Sequence, residues 1–139
     1  MEDYYENFKS EEIIDEKNFK KKILVVDDEA NITRLVKISL ESDNIEVIES
    51  SGGQEAIMLA VKKKPDLIIL DLMMPRHSGY DILKMLKKHE LTKIIPVLIL
   101  TAKDTQIDRE KCLNSGADGF VSKPFDLDEL KKTVKKFFI

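Results

Sequence analysis

The 139-residue chain has one cysteine, Cys112, and no tryptophan. A single thiol excludes an internal disulfide and a cysteine-built metal site. Aromatic residues make up only 6% of the chain against 35% charged residues, a balance that suits a soluble, helix-rich protein. Positive charge is not in excess. The formal net charge is −3, so the total carries no nucleic-acid footprint. No apolar run approaches the ~20 residues of a membrane span, and the acidic start is unlike a signal peptide. These absences predict a cytoplasmic protein with no membrane association and no direct nucleic-acid contact. The length is that of about one domain, with a single core that needs no staples.

What is present is an alternation. Residues 1 to 20 mix Tyr4, Tyr5, Phe8, Ile13, Ile14 and Phe19 with acids and lysines in no clean period, and read as a loosely ordered N-terminal extension. From Lys21 to Ile139 the pattern is regular. Ile23-Leu24-Val25-Val26 is a short β-branched run ending in Asp27-Asp28-Glu29. Ile32, Leu35, Val36, Ser39 and Leu40 then share a helical face. A strand at Ile45–Ile48 leads through Gly52-Gly53 to a helix with Ala56, Ile57, Ala60 and Val61. Leu67-Ile68-Ile69-Leu70, four large apolar residues in a row, read as a strand buried on both faces. Tyr80, Leu83 and Leu86, widened by Ile82 and Met85, mark the next helix. Pro96 to Leu100 is a further buried strand, and a helix around Ile107 to Leu113 closes at Asn114-Ser115-Gly116. Phe120-Val121 is the fifth strand, and Leu127, Leu130, Val134 and Phe137 line the last helix. Strand followed by helix, five times, is the signature of a parallel sheet covered on both faces.

In such sheets ligands bind at the carboxyl ends of the strands. Those ends carry Asp27 and Asp28, Asp71, Thr101 and Lys123. With the strand order 2-1-3-4-5 of flavodoxin-like folds, taken over from that class, the three acids converge on one crevice. Close carboxylates repel, and a bound hard cation relieves them. Mg²⁺ prefers one or two carboxylates, waters and phosphate oxygens. Asp71 could then act as a nucleophile forming an aspartyl phosphate. Lys123 supplies a positive point charge and Thr101 a hydroxyl donor for phosphoryl oxygens. No general base is required of a carboxylate at neutral pH. Each residue also has a plainer use. Asp27-Asp28-Glu29 fit a helix N-terminus, Thr101 a turn, and Lys123 a solvated surface.

Val25-Val26-Asp27-Asp28-Glu29, Leu70-Asp71-Leu72-Met73-Met74-Pro75, Leu100-Thr101-Ala102 and Gly116 to Phe125 together resemble the receiver domain of two-component response regulators, over about Lys21 to Ile139. That resemblance implies a flavodoxin-like (βα)5 three-layer sandwich around a five-stranded parallel sheet, with single-domain chemotaxis-type architecture. It implies a signalling domain, not an enzyme acting beyond its own phosphorylation and dephosphorylation. Asp71 would accept a phosphoryl group from a histidine kinase or histidine phosphotransfer protein. Asp28, Asp71 and the Met73 carbonyl would bind Mg²⁺ directly and Asp27 through water, while Thr101 and Lys123 contact the phosphoryl group. A cis Lys123–Pro124 bond is also implied. The added phosphoryl brings roughly two negative charges. It would draw in Thr101 and turn Phe120 inward, altering the face from about Asp104 to Phe138 that binds a downstream protein. A plain core role for Phe120 is the alternative.

Gly119 departs from the second acid of many DNA-binding members, although Asp108 and Arg109 keep part of their pattern for a phosphorylation-dependent homodimer. Met73 and Lys103 lie where the family varies its phosphoryl lifetime. Cys112 reads as a small core residue, His77 and His89 as exposed, and Lys131, Lys132, Lys135 and Lys136 as a solvated face. The competing readings are a receiver fragment of a longer DNA-binding regulator and a receiver-like module that never takes phosphate. A phosphatase with an aspartyl-phosphate intermediate is a third, but it would want an acid where Met73 stands.

Overall fold

The computed structural model describes residues 20–74 and 78–138. The elements alternate as the apolar pattern predicts: β1 (Lys21–Val26), α1 (Ala30–Leu40), β2 (Ile45–Ser50), α2 (Gly53–Lys63), β3 (Leu67–Leu70), α3 (Gly79–Lys88), β4 (Val97–Thr101), α4 (Gln106–Asn114), β5 (Gly119–Ser122) and α5 (Leu127–Lys136). All pairings are parallel, and the sheet order is β2-β1-β3-β4-β5. The expectations for residues 1 to 19 and for His77 fall outside the described residues. Among those described, no helix is long and apolar enough to cross a membrane.

Side chains of a strand alternate between the sheet faces, and here each face has its own core. Leu24, Val26, Ile68, Leu70, Val97 and Ile99 pack with Ala56 and Ala60 of α2, Leu83 and Leu86 of α3 and Cys112 of α4. Ile23, Val25, Leu67, Ile69, Leu98, Leu100 and Val121 pack with Val36 and Leu40 of α1 and Leu130 and Val134 of α5. The result is three layers. Every residue of β3 is buried, which explains its unbroken apolar run. Burying each such side chain contributes about 1.5–3 kcal/mol.

Helix starts follow local chemistry. Ser78 caps α3 by accepting from the Tyr80 amide, and Asp126 caps α5 by accepting from Asp128. Thr105 and Asp108 cap α4 reciprocally. That helix ends at Ser115 and Gly116, whose φ of 102° suits glycine. Several side chains assigned to buried faces are exposed instead: Leu35, Met85 and Leu127, with Ile107 and Leu113 flanking Cys112. The sheet gives each helix one narrow stripe. In α4 that stripe is only Asp108 and Cys112.

Candidate functional site

β1 and β3 are neighbours, with Val26 paired to Leu70, so Asp27 and Asp71 leave the sheet side by side. Their amides still donate to strand carbonyls, Asp27 to Ser50 at 3.1 Å and Asp71 to Val26 at 3.0 Å. Both carboxylates are buried, with only 2% and 3% of each residue exposed. Asp27 Oδ1 accepts from the Glu29 amide at 2.9 Å, and Asp71 Oδ1 from the Met73 amide at 3.1 Å. Their outer oxygens meet Lys123, whose Nζ donates to Asp27 Oδ2 at 2.7 Å and to Asp71 Oδ2 at 3.1 Å. Lys123 follows β5, and its bond to Pro124 is cis. Neither plainer reading describes these two residues. Asp27 does not cap α1, where Glu29 stands at the cap position without a side-chain bond, and Lys123 is not a solvated lysine.

Asp28 is exposed at the mouth of the site, and ligand oxygens of Asp27, Asp28 and Asp71 lie within 4.8 Å of one another. Three carboxylates face one ammonium group, so the set falls two charges short of balance. Burial pushes the Asp27 carboxyl up to about 6, against the opposing pull of Lys123. Burial also lowers the Lys123 ammonium, but Asp27 and Asp71 outweigh it and leave the group above its ordinary range. An oxygen-rich site lacking two positive charges fits a divalent cation such as Mg²⁺.

A cavity of about 830 Å³ opens over Asp71, lined by Asp28, Met73, Ser78, Lys103 and Lys123 among others. Met73 is exposed there. Thr101, the last residue of β4, is fully buried and does not line this cavity. Its Oγ1 accepts from the Lys103 amide at 3.2 Å, the turn geometry allowed for it. Phe120 is half-buried against the α2–α3–α4 core, with the Arg109 guanidinium 4.7 Å from its ring centroid. Arg109 also donates to Ser122 Oγ at 2.9 Å. On the other side of α4, Tyr80 Oη donates to Asp108 Oδ1 at 3.0 Å. Sequence reasoning missed both of these fastenings. Thr105-x-x-Asp108 has the spacing of a capping box, a signal the sequence offers, but nothing local points to Tyr80 or Ser122.

The fold and the site place the chain among doubly wound α/β proteins that work at the switch point of strand order. The response regulator receiver domain model matches residues 23–135, and the chain belongs to that family. The alkaline phosphatase synthesis transcriptional regulatory protein PhoP of Bacillus subtilis is 44% identical over 115 residues, 83% of this chain and 47% of that protein. The phosphate regulon transcriptional regulatory protein PhoB of Pseudomonas aeruginosa is 42% identical over 115 residues, 83% of this chain and 50% of that one. The chain thus spans about half the length of these curated relatives. Among solved structures, the chemotaxis protein CheY4 of Vibrio cholerae superposes with a TM-score of 0.80 at 31% identity, covering 85% of this chain and 98% of that chain. The Francisella response regulator 1452 receiver domain gives 0.78 at 34%, covering 86% and 97%. Receiver domains are signalling domains that bind Mg²⁺ through acidic residues and interact with histidine kinases.

Proposed function

We propose that Asp71 accepts a phosphoryl group from the phosphohistidine of a sensor histidine kinase or histidine phosphotransfer protein. The clustering of Asp27, Asp28, Asp71 and Lys123, with Asp28, Asp71 and Lys123 lining one cavity, carries the reading. An Asp71 carboxylate oxygen forms the P–O bond as the P–N bond breaks, and the donor imidazole leaves with the electron pair. Asp28, Asp71 and the Met73 carbonyl would hold Mg²⁺, with Asp27 acting through water. The ion supplies positive charge for the phosphoryl oxygens. Lys123 is already positioned by two carboxylates to contact the incoming group. Thr101 would exchange its bond from the Lys103 amide for one donated to a phosphoryl oxygen.

The output surface is α4, β5 and α5, about residues 104–138. It would act on a protein partner in the cytoplasm, with a phosphorylation-dependent homodimer as one form of output. The sparse burial of α4 supports this choice, because a helix holding only two buried side chains is displaced at low cost. Phe120, clasped by Arg109, would turn inward. A second reading makes the chain the receiver portion of a longer transcriptional regulator, and the doubled length of PhoP and PhoB favours it. In both readings residues 21–139 form the receiver and do not themselves contact nucleic acid.

The test is intact mass after incubation with acetyl phosphate, with and without Mg²⁺, on wild type and Asp71→Asn. One added phosphoryl group is expected with Mg²⁺ and wild type only. Stoichiometric labelling of the variant would show that another residue is the acceptor.

A further inference from the structure

Lys103 belongs to two neighbourhoods. It lines the cavity over Asp71 together with Asp28, Met73 and Lys123. Its ammonium nitrogen also lies 4.0 Å from Asp108 Oδ1 and 5.5 Å from the centroid of the Tyr80 ring. Asp108 is the pin of α4. One oxygen accepts from Tyr80 of α3 at 3.0 Å, and the other closes the capping box by accepting from the Thr105 amide at 3.3 Å and from its hydroxyl at 2.6 Å. The Lys103 side chain is 49% exposed and carries its ammonium on a flexible four-carbon stem.

We infer that Lys103 is a second cation for the phosphoryl group, parked against Asp108 and Tyr80 in the unphosphorylated protein, so that phosphoryl binding and the pinning of α4 compete for one ammonium. The inference rests on Asp71 being the phosphoryl acceptor. The phosphoryl group on Asp71 carries roughly two charges against the single charge of Asp108. With Mg²⁺ and Lys123 in place it still leaves the site with roughly one negative charge in excess, which competes with Asp108 for Lys103. Lys103 then leaves the Tyr80 ring as well, and Lys111, 4.0 Å from that ring's centroid, remains as its only cation among the described residues. Asp108 keeps Tyr80 and Thr105 but loses its counter-charge, which loosens the first turn of α4.

The competition predicts a double-mutant cycle in beryllofluoride affinity, measured by calorimetry in saturating Mg²⁺ on the full chain. Asp108→Asn keeps one of the two acceptor oxygens that Asp108 uses and removes the charge that holds Lys103. It should tighten beryllofluoride about two- to fivefold, the range of an exposed ion pair. Lys103→Met should weaken binding several-fold, and in that background Asp108→Asn should have no effect. An equal effect of Asp108→Asn in both backgrounds, or none in either, overturns the inference. So does a Lys103→Met variant that binds like wild type, a result that stands even if Asp108→Asn misfolds. Failure of the wild type to bind beryllofluoride would instead remove the phosphoacceptor reading itself.

Discussion

At the scale of single residues, Asp27 and Lys123 occupy the same buried site with opposite consequences for stability. Asp27 has a folded pKa of about 6 against an ordinary 3.8, so between those values the folded state binds more protons than the unfolded state. Its contribution is therefore full below about pH 4 and lost as pH rises through about 6. The loss amounts to at most about 3 kcal/mol. In chelator, Asp27→Asn should melt above wild type at pH 8, and the gap should close as pH falls toward 4. A gap independent of pH would show that burial of the Asp27 charge is not the cause. Lys123→Met should do the reverse. It leaves two buried carboxylates without their cation, and removing one partner of a buried pair costs about 3–5 kcal/mol. Urea denaturation at pH 8 would measure the loss.

At the scale of elements, the strands and their ends were legible because both arise from local pattern. Leu67–Leu70 read as a strand buried on both faces, which placed the acid after it at the sheet's carboxyl end. The pairing of Asp27 with Asp71 needed the strand order, which came from resemblance to a fold and not from spacing. What could not be read were contacts between elements distant in sequence, such as Tyr80 to Asp108 and Arg109 to Ser122. Nor could the sequence say which apolar side chains of α4 miss the core, since Ile107, Cys112 and Leu113 are all apolar and only Cys112 is buried. The start of α3 has a similar hidden constraint. A Cβ on Gly79 would overlap the backbone oxygen of Asp71 and the Cα of Leu72. Gly79→Ala must therefore push α3 away from the end of β3. Overpacking of this kind costs about 1–3 kcal/mol, and here it also shifts the backbone that carries Asp71. Slower labelling by acetyl phosphate, beyond any loss in melting temperature, is the expected result. A purely structural role for Gly79 would lower the melting temperature and leave the labelling rate of the folded protein unchanged.

At the scale of the whole molecule, the two cores are unequal supports. α1 and α5 bury Val36, Leu40, Leu130 and Val134 on one face of the sheet. On the other face α2 and α3 bury Ala56, Ala60, Ile82, Leu83 and Leu86, whereas α4 adds only Cys112 from its apolar residues. A charge added at Asp71 reaches α4 through Lys103, whose side chain touches Asp108 and whose amide donates to Thr101. The same charge meets β1 and β2 through Lys123 and Asp27, at the ends of strands locked in register on both sides. Hydrogen exchange should record this asymmetry. Addition of beryllofluoride and Mg²⁺ should change exchange most at residues 104–122, in α4 and β5. Amides of α1 and β2 away from Asp27 to Glu29 should change little. Bound ligand also stabilises the whole fold by mass action, about 2.7 kcal/mol at a hundredfold excess over Kd, which slows exchange everywhere that opens by global unfolding. The diagnostic is therefore the residual change at α4 after that uniform protection is subtracted. If nothing remains at α4, the phosphoryl site is not coupled to this face, and the output must leave the domain elsewhere.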